Sequence, residues 1–200
     1  MNSDIYETIA DALANDGYII LEDVLDFSEE LSHYVQTLYH DNVQSFHQAG
    51  IGRKSEHHKN ETIRKDKILW LSQSNKLEQK YLNWMNELQE NLNQLLYLGL
   101  KSHEAHFSIY EKGDFYKKHY DAFKHTNLSE KNRILTTVFY LNKNYHDNNR
   151  GEIVIYDSDD NILETITPNL GKMLIFLSEK FPHEVLPTET TRLSIAGWFR

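Results

Sequence analysis

The sequence has 200 residues, a length at which we expect a single domain over residues 1–200 with one sizeable core. Its formal net charge is −9, so neither nucleic acid nor an anionic membrane surface is expected as a partner. The sequence contains no cysteine, which excludes a disulfide framework, a thiolate nucleophile and a cysteine-ligated metal. Any metal site must therefore use histidine and carboxylate ligands.

The first residues do not have the pattern of a targeting segment. Met1 to Asp4 show neither the basic stretch nor the apolar stretch of a signal peptide. The longest purely apolar run, Met173 to Leu177, is far too short to cross a bilayer. We therefore expect a cytoplasmic protein.

Residues 1–100 are predicted to form a part of the domain that combines helices with the first strands. Apolar residues at every fourth position predict a first helix that ends at Asp16-Gly17, and the run Tyr18 to Leu21 predicts a strand. A second amphipathic helix is predicted from Asp26. The clearest helical pattern runs from Leu77 to Leu95, and we expect this helix to cover a sheet.

A polar segment separates the second helix from the next strand. Residues 50–61 contain one large apolar residue and are interpreted as a long loop, a class of loop that is often functional. The following residues, Ile63 to Leu71, return to a strand-like pattern.

Residues 101–200 are predicted to form a jelly-roll core. Short strand-like runs separated by Gly, Pro, Asn and Asp, with no helical period between them, are typical of an antiparallel double-sheet fold. The predicted fold class is α+β, mainly β: a double-stranded β-helix with the N-terminal and supporting helices packed on one sheet. The predicted strands are 103–110, 133–141, 152–156, 162–166, 171–177 and 191–199.

One group of residues indicates metal chemistry. His119 and Asp121 are two positions apart, so both side chains can point to one face of a strand and reach one metal ion, although such a pair also arises by chance. His183 would complete a set of two imidazoles and one carboxylate, the facial triad that leaves three positions of an octahedral iron open. Arg192 follows nine positions later, and a guanidinium near such a site can bind a dicarboxylate through two charge-assisted hydrogen bonds.

With these residues in place, the sequence resembles the iron(II)- and 2-oxoglutarate-dependent dioxygenases, and among them the prolyl hydroxylase branch, which includes the hypoxia-type and bacterial protein prolyl hydroxylases. The resemblance runs from about Asp16 to Trp198. Its motifs are Tyr110 to Asp121, with Tyr, Gly, Tyr and His-x-Asp in order, the run Arg133 to Asn142, Asn149 to Glu152, Gly171 to Ser178, Pro182-His183, and Arg192 to Trp198.

The resemblance implies a role for each of these residues. His119, Asp121 and His183 would bind iron(II), with 2-oxoglutarate as cosubstrate, O2 as oxidant and ascorbate as a candidate reductant. The distal carboxylate of 2-oxoglutarate would pair with Arg192 and the Tyr140 hydroxyl. Two further residues, Tyr110 and Trp198, would contribute to the cosubstrate site, and Tyr116 would act in catalysis by ordering water beside the iron.

The resemblance also implies a substrate class. Ile63 to Trp70 is similar to the Ile-Arg-Gly-Asp stretch of hypoxia-type enzymes, with Lys65 in place of Gly. The implied substrate is a protein with a proline in an extended loop, for which a translation factor is one candidate. Residues 50–61 would then form a lid over the bound segment. The residues implied to bind this substrate are Arg64, Asp66, Trp70 and Arg133.

Several alternatives stay open. A small-molecule or free amino-acid hydroxylase could use the same triad, and a jelly-roll binding module could have no activity, although it would give no reason for the triad and Arg192 to coexist. A nucleic-acid demethylase is disfavoured by the net charge. Bland roles also compete for single residues: an exposed ion pair for Arg64 and Asp66, a core position for Trp70, Asp66 or solvent as the partner of Arg133, and the sheet surface for His103 and His106.

Overall fold

The computed structural model describes residues 3–49, 62–122 and 132–200. The predicted lid at 50–61 lies outside the described residues. The helices are α1 (Ser3–Asn15), α2 (Ser28–Asp41) and α3 (Lys76–Leu96), with short 3-10 turns at Val43–Ser45 and Asp147–Asn149. Within the described ranges, none of the helices is both long enough and apolar enough to cross a membrane.

Eleven strands in the described part of the chain form two antiparallel sheets. The seven-stranded sheet has the order β1-β9-β6-β11-β4-β3-β2, and the four-stranded sheet has the order β5-β10-β7-β8. The strands are β1 (Tyr18–Leu21), β2 (His47–Gln48), β3 (Lys67–Trp70), β4 (His103–Tyr110), β5 (Tyr116–His119), β6 (Leu135–Tyr140), β7 (Ile153–Tyr156), β8 (Ile162–Ile166), β9 (Met173–Leu177), β10 (His183–Val185) and β11 (Arg192–Phe199). This is the predicted jelly roll.

Successive side chains of each strand point to opposite faces of the larger sheet, and a separate apolar cluster lies on each face. On β11, Leu193 and Ile195 face the helices and pack with Leu88 of α3. Their neighbours Arg192 and Ser194 face the smaller sheet and line a pocket there. The helices therefore cover one face of the larger sheet, as predicted, and its other face is free to build a site.

Most elements, including the four-residue strand β1, agree with the prediction to within a few residues, whereas several short segments differ. The run predicted over Ile63 to Leu71 forms a strand only at Lys67–Trp70, with an isolated bridge at Arg64. Strands β2, β5 and β10 were not predicted. Each has two to four residues and little apolar alternation, so pairing with neighbouring strands, and not local pattern, defines it.

Candidate active site

A pocket opens between the two sheets at the end where β5 and β10 pair. It is lined from the larger sheet by β4, β6 and β11 and from the smaller sheet by β5, β7 and β10. The lining residues are Arg64, Ser108, Tyr110, Tyr116, His119, Asp121, Thr136, Val138, Ile153, His183, Val185, Arg192, Ser194, Ala196 and Trp198. We call this the inter-sheet pocket.

The pocket brings His119, Asp121 and His183 together. His119 and His183 lie directly opposite each other in the antiparallel pair β5–β10, and Asp121 follows two residues after the end of β5. One ligand atom from each residue lies within 4.8 Å of the other two. The Nε2 atoms of His119 and His183 are each 3.5 Å from an oxygen of the Asp121 carboxylate.

Both imidazoles present Nε2 towards this cluster. Nδ1 of His119 lies 2.8 Å from the Lys117 carbonyl oxygen, and Nδ1 of His183 lies 3.2 Å from that of Phe181. A carbonyl oxygen only accepts hydrogen bonds, so Nδ1 of each ring carries a proton and Nε2 is the atom left to bind a metal. Burial lowers the pKa of His183 to about 4, which leaves this imidazole neutral at neutral pH.

The Asp121 carboxylate is buried and held from two sides. Thr136 Oγ1 donates to Oδ2 at 2.9 Å and also lies 2.9 Å from Ser178 Oγ, while the Arg133 guanidinium lies 3.6 Å from Oδ1. Burial acts to raise the pKa of Asp121, but the neighbouring His183, His119 and Arg133 outweigh it and hold the pKa well below its usual range. The carboxylate is therefore ionised.

These three groups fit a divalent metal ion. Nitrogen and oxygen ligands bind such an ion at roughly 2.0–2.2 Å, which brings adjacent ligands to about 3 Å from one another. Each imidazole nitrogen is 3.5 Å from an Asp121 oxygen and all three ligand atoms lie within 4.8 Å of one another, so the groups would contract around a bound ion. Two neutral imidazoles and one carboxylate are also the donor set that iron(II) accepts in a facial triad.

Tyr116, the residue predicted to order water beside the iron, stacks on His119. Their ring centroids are 3.6 Å apart with an interplanar angle of 16°. The guanidinium carbon of Arg64 lies 4.7 Å from the centroid of the Tyr116 ring. Tyr116 therefore fixes the orientation of the His119 imidazole, whatever its effect on water.

Arg192 lies on the central strand β11 and is only 1 % exposed. Its Nε donates to the Gly151 carbonyl at 2.8 Å and its Nη1 donates to Ser194 Oγ at 3.1 Å. No carboxylate in the part of the chain that the structure describes lies within ion-pair distance of this guanidinium. A buried cation without an anion is costly, so the position fits an anionic ligand that enters the inter-sheet pocket.

Two tyrosines flank Arg192, the same two that the resemblance assigns to the cosubstrate site. Tyr110 is its direct partner on β4, and Tyr140 lies opposite Ser194 on β6; their ring centroids are 4.9 and 5.2 Å from the guanidinium carbon. Burial raises the pKa of Tyr140 to about 12, so its hydroxyl stays protonated. That hydroxyl is buried and has no hydrogen-bond partner among the described groups, which leaves it available to a ligand.

Arg64 and Asp66 form a buried pair, which corrects the alternative of an exposed one. Arg64 Nε lies 2.5 Å from Asp66 Oδ1 and Nη2 donates to Oδ2 at 2.8 Å, while the Asp66 side chain is fully buried. Burial opposes ionisation of both groups, but their attraction wins, so the pKa of Arg64 is raised and that of Asp66 is lowered. Arg64 lines the inter-sheet pocket, whereas Asp66 does not and holds the Arg64 guanidinium through the ion pair.

Three further expectations need correction. Trp70 is 50 % exposed and is not a core residue. His106 is 1 % exposed, with its ring 5.1 Å from that of Trp70 and 5.3 Å from that of Trp198, so it does not lie on the sheet surface. Arg133 pairs with Asp121 and Glu104, not with Asp66 or solvent, and its guanidinium carbon lies 3.6 Å from the Trp198 ring centroid.

Several residues of the site were missed by sequence reasoning. Thr136 donates to Asp121 and is itself hydrogen-bonded to Ser178, Ser194 accepts from Arg192, and Glu104 contacts Arg133. The alternation along β6 and β11 could have identified Thr136 and Ser194, because each is an even number of positions from a predicted site residue, Tyr140 or Arg192. The same alternation applies to Glu104, which lies on β4 an even number of positions from Tyr110, whereas no local pattern distinguishes Ser178.

Comparison with known proteins agrees with this geometry. The family model described as the 2OG-Fe(II) oxygenase superfamily matches residues 105–200. The crystal structure of a Pseudomonas putida prolyl-4-hydroxylase is 32% identical, with 98% of this chain and 99% of that chain covered and a TM-score of 0.84. A Trichoplax adhaerens prolyl hydroxylase, solved with a hypoxia inducible factor peptide fragment, is 24% identical with a TM-score of 0.80, covering 98% and 89% of the two chains.

The curated relatives are longer than this chain. Mouse prolyl hydroxylase EGLN3 is 26% identical over 148 residues, which are 68% of this chain and 59% of the relative. Human prolyl hydroxylase EGLN3 is 30% identical over 89 residues, which are 44% of this chain and 35% of the relative. The match to the bacterial structure extends over both chains almost completely. The chain belongs to the 2OG-Fe(II) oxygenase superfamily.

Proposed function

We propose that this protein is an iron(II)- and 2-oxoglutarate-dependent dioxygenase that hydroxylates a prolyl residue in a protein substrate, with release of succinate and carbon dioxide. One observation carries the proposal: the inter-sheet pocket combines the cluster His119, Asp121 and His183 with the buried Arg192, which has no carboxylate partner among the described residues. A binding module without catalysis would need neither the metal cluster nor such a buried cation.

The roles of the residues follow from their surroundings. His119, Asp121 and His183 would hold iron(II), and bound iron with 2-oxoglutarate would supply the oxidation that inserts one atom of O2 into a C–H bond. Arg192 would bind the distal carboxylate of 2-oxoglutarate, and the Tyr140 hydroxyl would donate to the same group. Tyr110 and Trp198 close the pocket around these groups, which reduces the access of water.

A protein substrate is supported by the pocket mouth and by the relatives. Arg64 lines the pocket and is available to a bound polypeptide, whereas Trp70 is half-exposed on β3 and is not among the pocket-lining residues. Several relatives are named prolyl hydroxylases, and one was solved with a peptide. A translation factor as substrate, ascorbate as reductant, a single domain over the whole chain and a cytoplasmic location stay predictions.

The second candidate is a hydroxylase of a small molecule or a free amino acid. The same triad and the same cosubstrate site would serve it. It would require the pocket to enclose the whole substrate, and the relatives, which are named prolyl hydroxylases, give it less support.

The first test is an anaerobic titration. We expect iron(II) to bind, and 2-oxoglutarate added afterwards to produce the visible metal-to-ligand charge-transfer absorption of a chelated keto acid. Asp121→Ala should lose this absorption. If the wild-type protein binds no iron(II), or if iron binds and 2-oxoglutarate does not, the proposed activity is wrong.

The second test concerns the substrate. The proteome of cells with and without the gene is compared by mass spectrometry for one added oxygen atom on proline. A proline that gains oxygen only when the gene is present, and that the purified protein hydroxylates within a peptide, would support the proposal. If a free amino acid is hydroxylated as efficiently as any polypeptide, the second candidate replaces the first.

A further inference from the structure

Four side chains of alternating charge extend from the candidate metal site to the first residues of β4. Arg133 Nη1 lies 3.6 Å from Asp121 Oδ1, and Arg133 Nη2 lies 3.6 Å from Glu104 Oε1. Arg200 Nη2 donates to the same Glu104 oxygen. The order is therefore Asp121, Arg133, Glu104, Arg200, and each member contacts the next.

Glu104 is placed by the sheet so that it can hold Arg133. It lies directly opposite Trp198 in the β4–β11 pair, so both side chains are on the pocket face. The Arg133 guanidinium lies over the Trp198 ring, with its carbon 3.6 Å from the ring centroid. Its two nitrogens are directed to two different carboxylates, and the ring holds the guanidinium plane between them.

The charge of Arg133 has opposite effects on the site. It stabilises the Asp121 carboxylate, but it also places a positive charge near the position where a divalent cation would bind. Glu104 offsets that charge and draws the guanidinium away from Asp121. The Glu104 side chain is 33 % exposed and that of Asp121 is 6 % exposed. The carboxylate that offsets the Arg133 charge therefore lies closer to solvent than the carboxylate that would bind the metal.

We propose that Glu104 is a positioning residue, which acts through Arg133 to keep the Asp121 carboxylate free to bind a divalent metal. The proposal rests on the proposed function, because it takes the triad to be a metal site. Arg200 opposes Glu104 by neutralising part of its charge. The two charges therefore have opposite effects: loss of the Glu104 charge weakens metal binding, and loss of the Arg200 charge strengthens it.

The test measures the Kd for Mn²⁺ in the absence of cosubstrate, from the electron paramagnetic resonance signal of the free ion. We expect Glu104→Gln to weaken Mn²⁺ binding about threefold to tenfold at low ionic strength, as for one charge acting through a partly wet path. Glu104→Asp keeps the charge and should bind within about twofold of wild type. Arg200→Gln should bind more tightly than wild type.

A double-mutant cycle separates positioning from a general effect on structure. In an Arg133→Gln background, Glu104→Gln should change the Kd by less than about twofold, because the group through which it acts is gone. The charge-matched control is Glu29→Gln, which removes a carboxylate paired with Lys143 at 2.8 Å on another part of the surface and should leave the Kd unchanged.

The outcomes are distinct. If wild type binds no Mn²⁺, the triad itself fails as a metal site. If wild type binds and Glu104→Gln binds equally well, or if the same loss occurs in the Arg133→Gln background, only the role of Glu104 is overturned. Circular dichroism of each variant checks that it is folded, and Arg200→Gln provides the test if Glu104→Gln is not: binding that is not tighter than wild type would overturn the role of Glu104.

Discussion

Arg192 permits a quantitative prediction, because the structure accounts for its surroundings. Its guanidinium donates to the Gly151 carbonyl and to Ser194 Oγ while buried between two tyrosine rings. Lysine keeps the charge but cannot make both contacts and also present a planar pair of donors to a carboxylate. The loss of one charge-assisted hydrogen bond is worth roughly 1.5–3 kcal/mol. Arg192→Lys should therefore weaken 2-oxoglutarate binding by about 10- to 150-fold.

The assay is calorimetric titration of 2-oxoglutarate into the protein saturated with Mn²⁺, so that metal binding and cosubstrate binding are measured separately. Mn²⁺ binding itself should be unchanged, because Arg192 is not part of the triad. Arg150→Lys is the matched control, since Arg150 is exposed and adjacent to the same Gly151 turn. An Arg192→Lys protein that binds 2-oxoglutarate as tightly as wild type would place the cosubstrate elsewhere.

Four other changes have defined outcomes. Asp121→Ala should abolish iron-dependent turnover of 2-oxoglutarate, because two neutral imidazoles leave the charge of the dication unbalanced; succinate release at the wild-type rate would contradict the triad. Tyr140→Phe should weaken 2-oxoglutarate binding in the same titration, but less than Arg192→Lys, since it removes one neutral donor. Burial lowers the pKa of His106 to about 3, whereas an unfolded histidine titrates near 6.5, so stability should fall as the pH drops through that window. His106→Met should reduce this slope by up to about 1.4 kcal/mol per pH unit in urea unfolding, and an unchanged slope would show that His106 is not the group responsible. Asp66→Asn should cost about 3–5 kcal/mol in urea unfolding at pH 7, because it leaves the Arg64 charge buried and unpaired; a cost below about 1 kcal/mol would mean that the pair is solvated.

Elements with a long periodic pattern were predictable from the sequence. The α3 helix repeats apolar side chains along one face over several turns, and strands β4 and β11 alternate them along their whole length. Such a repeat can be recognised within one segment of sequence, without knowledge of what the segment packs against. Strands β5 and β10 are too short for such a pattern. They exist because they pair with each other and with β7, which is information that no local window contains.

The metal cluster was predictable without the pairing of those strands. The spacing of two between His119 and Asp121 is interpreted as one face of a strand, and His183 is grouped with them by its position before Arg192 and by the family resemblance. Burial was harder to predict. Asp66 and His106 are polar residues in segments that looked half-exposed, and only the packing of β3 beside β4 shows that both are covered.

The two halves of the candidate site therefore have different structural origins. The metal cluster is built at the β5–β10 pair of the smaller sheet, whereas Arg192 lies on β11 in the centre of the larger sheet, between β4 and β6. Two residues at β6 connect the sides: Arg133 pairs with Asp121 and lies over Trp198 of β11, and Thr136 donates to the Asp121 carboxylate. A change that moves the two sheets relative to each other would therefore also displace Asp121, and Arg133, its partner Glu104 and Thr136 lie where that movement would be resisted.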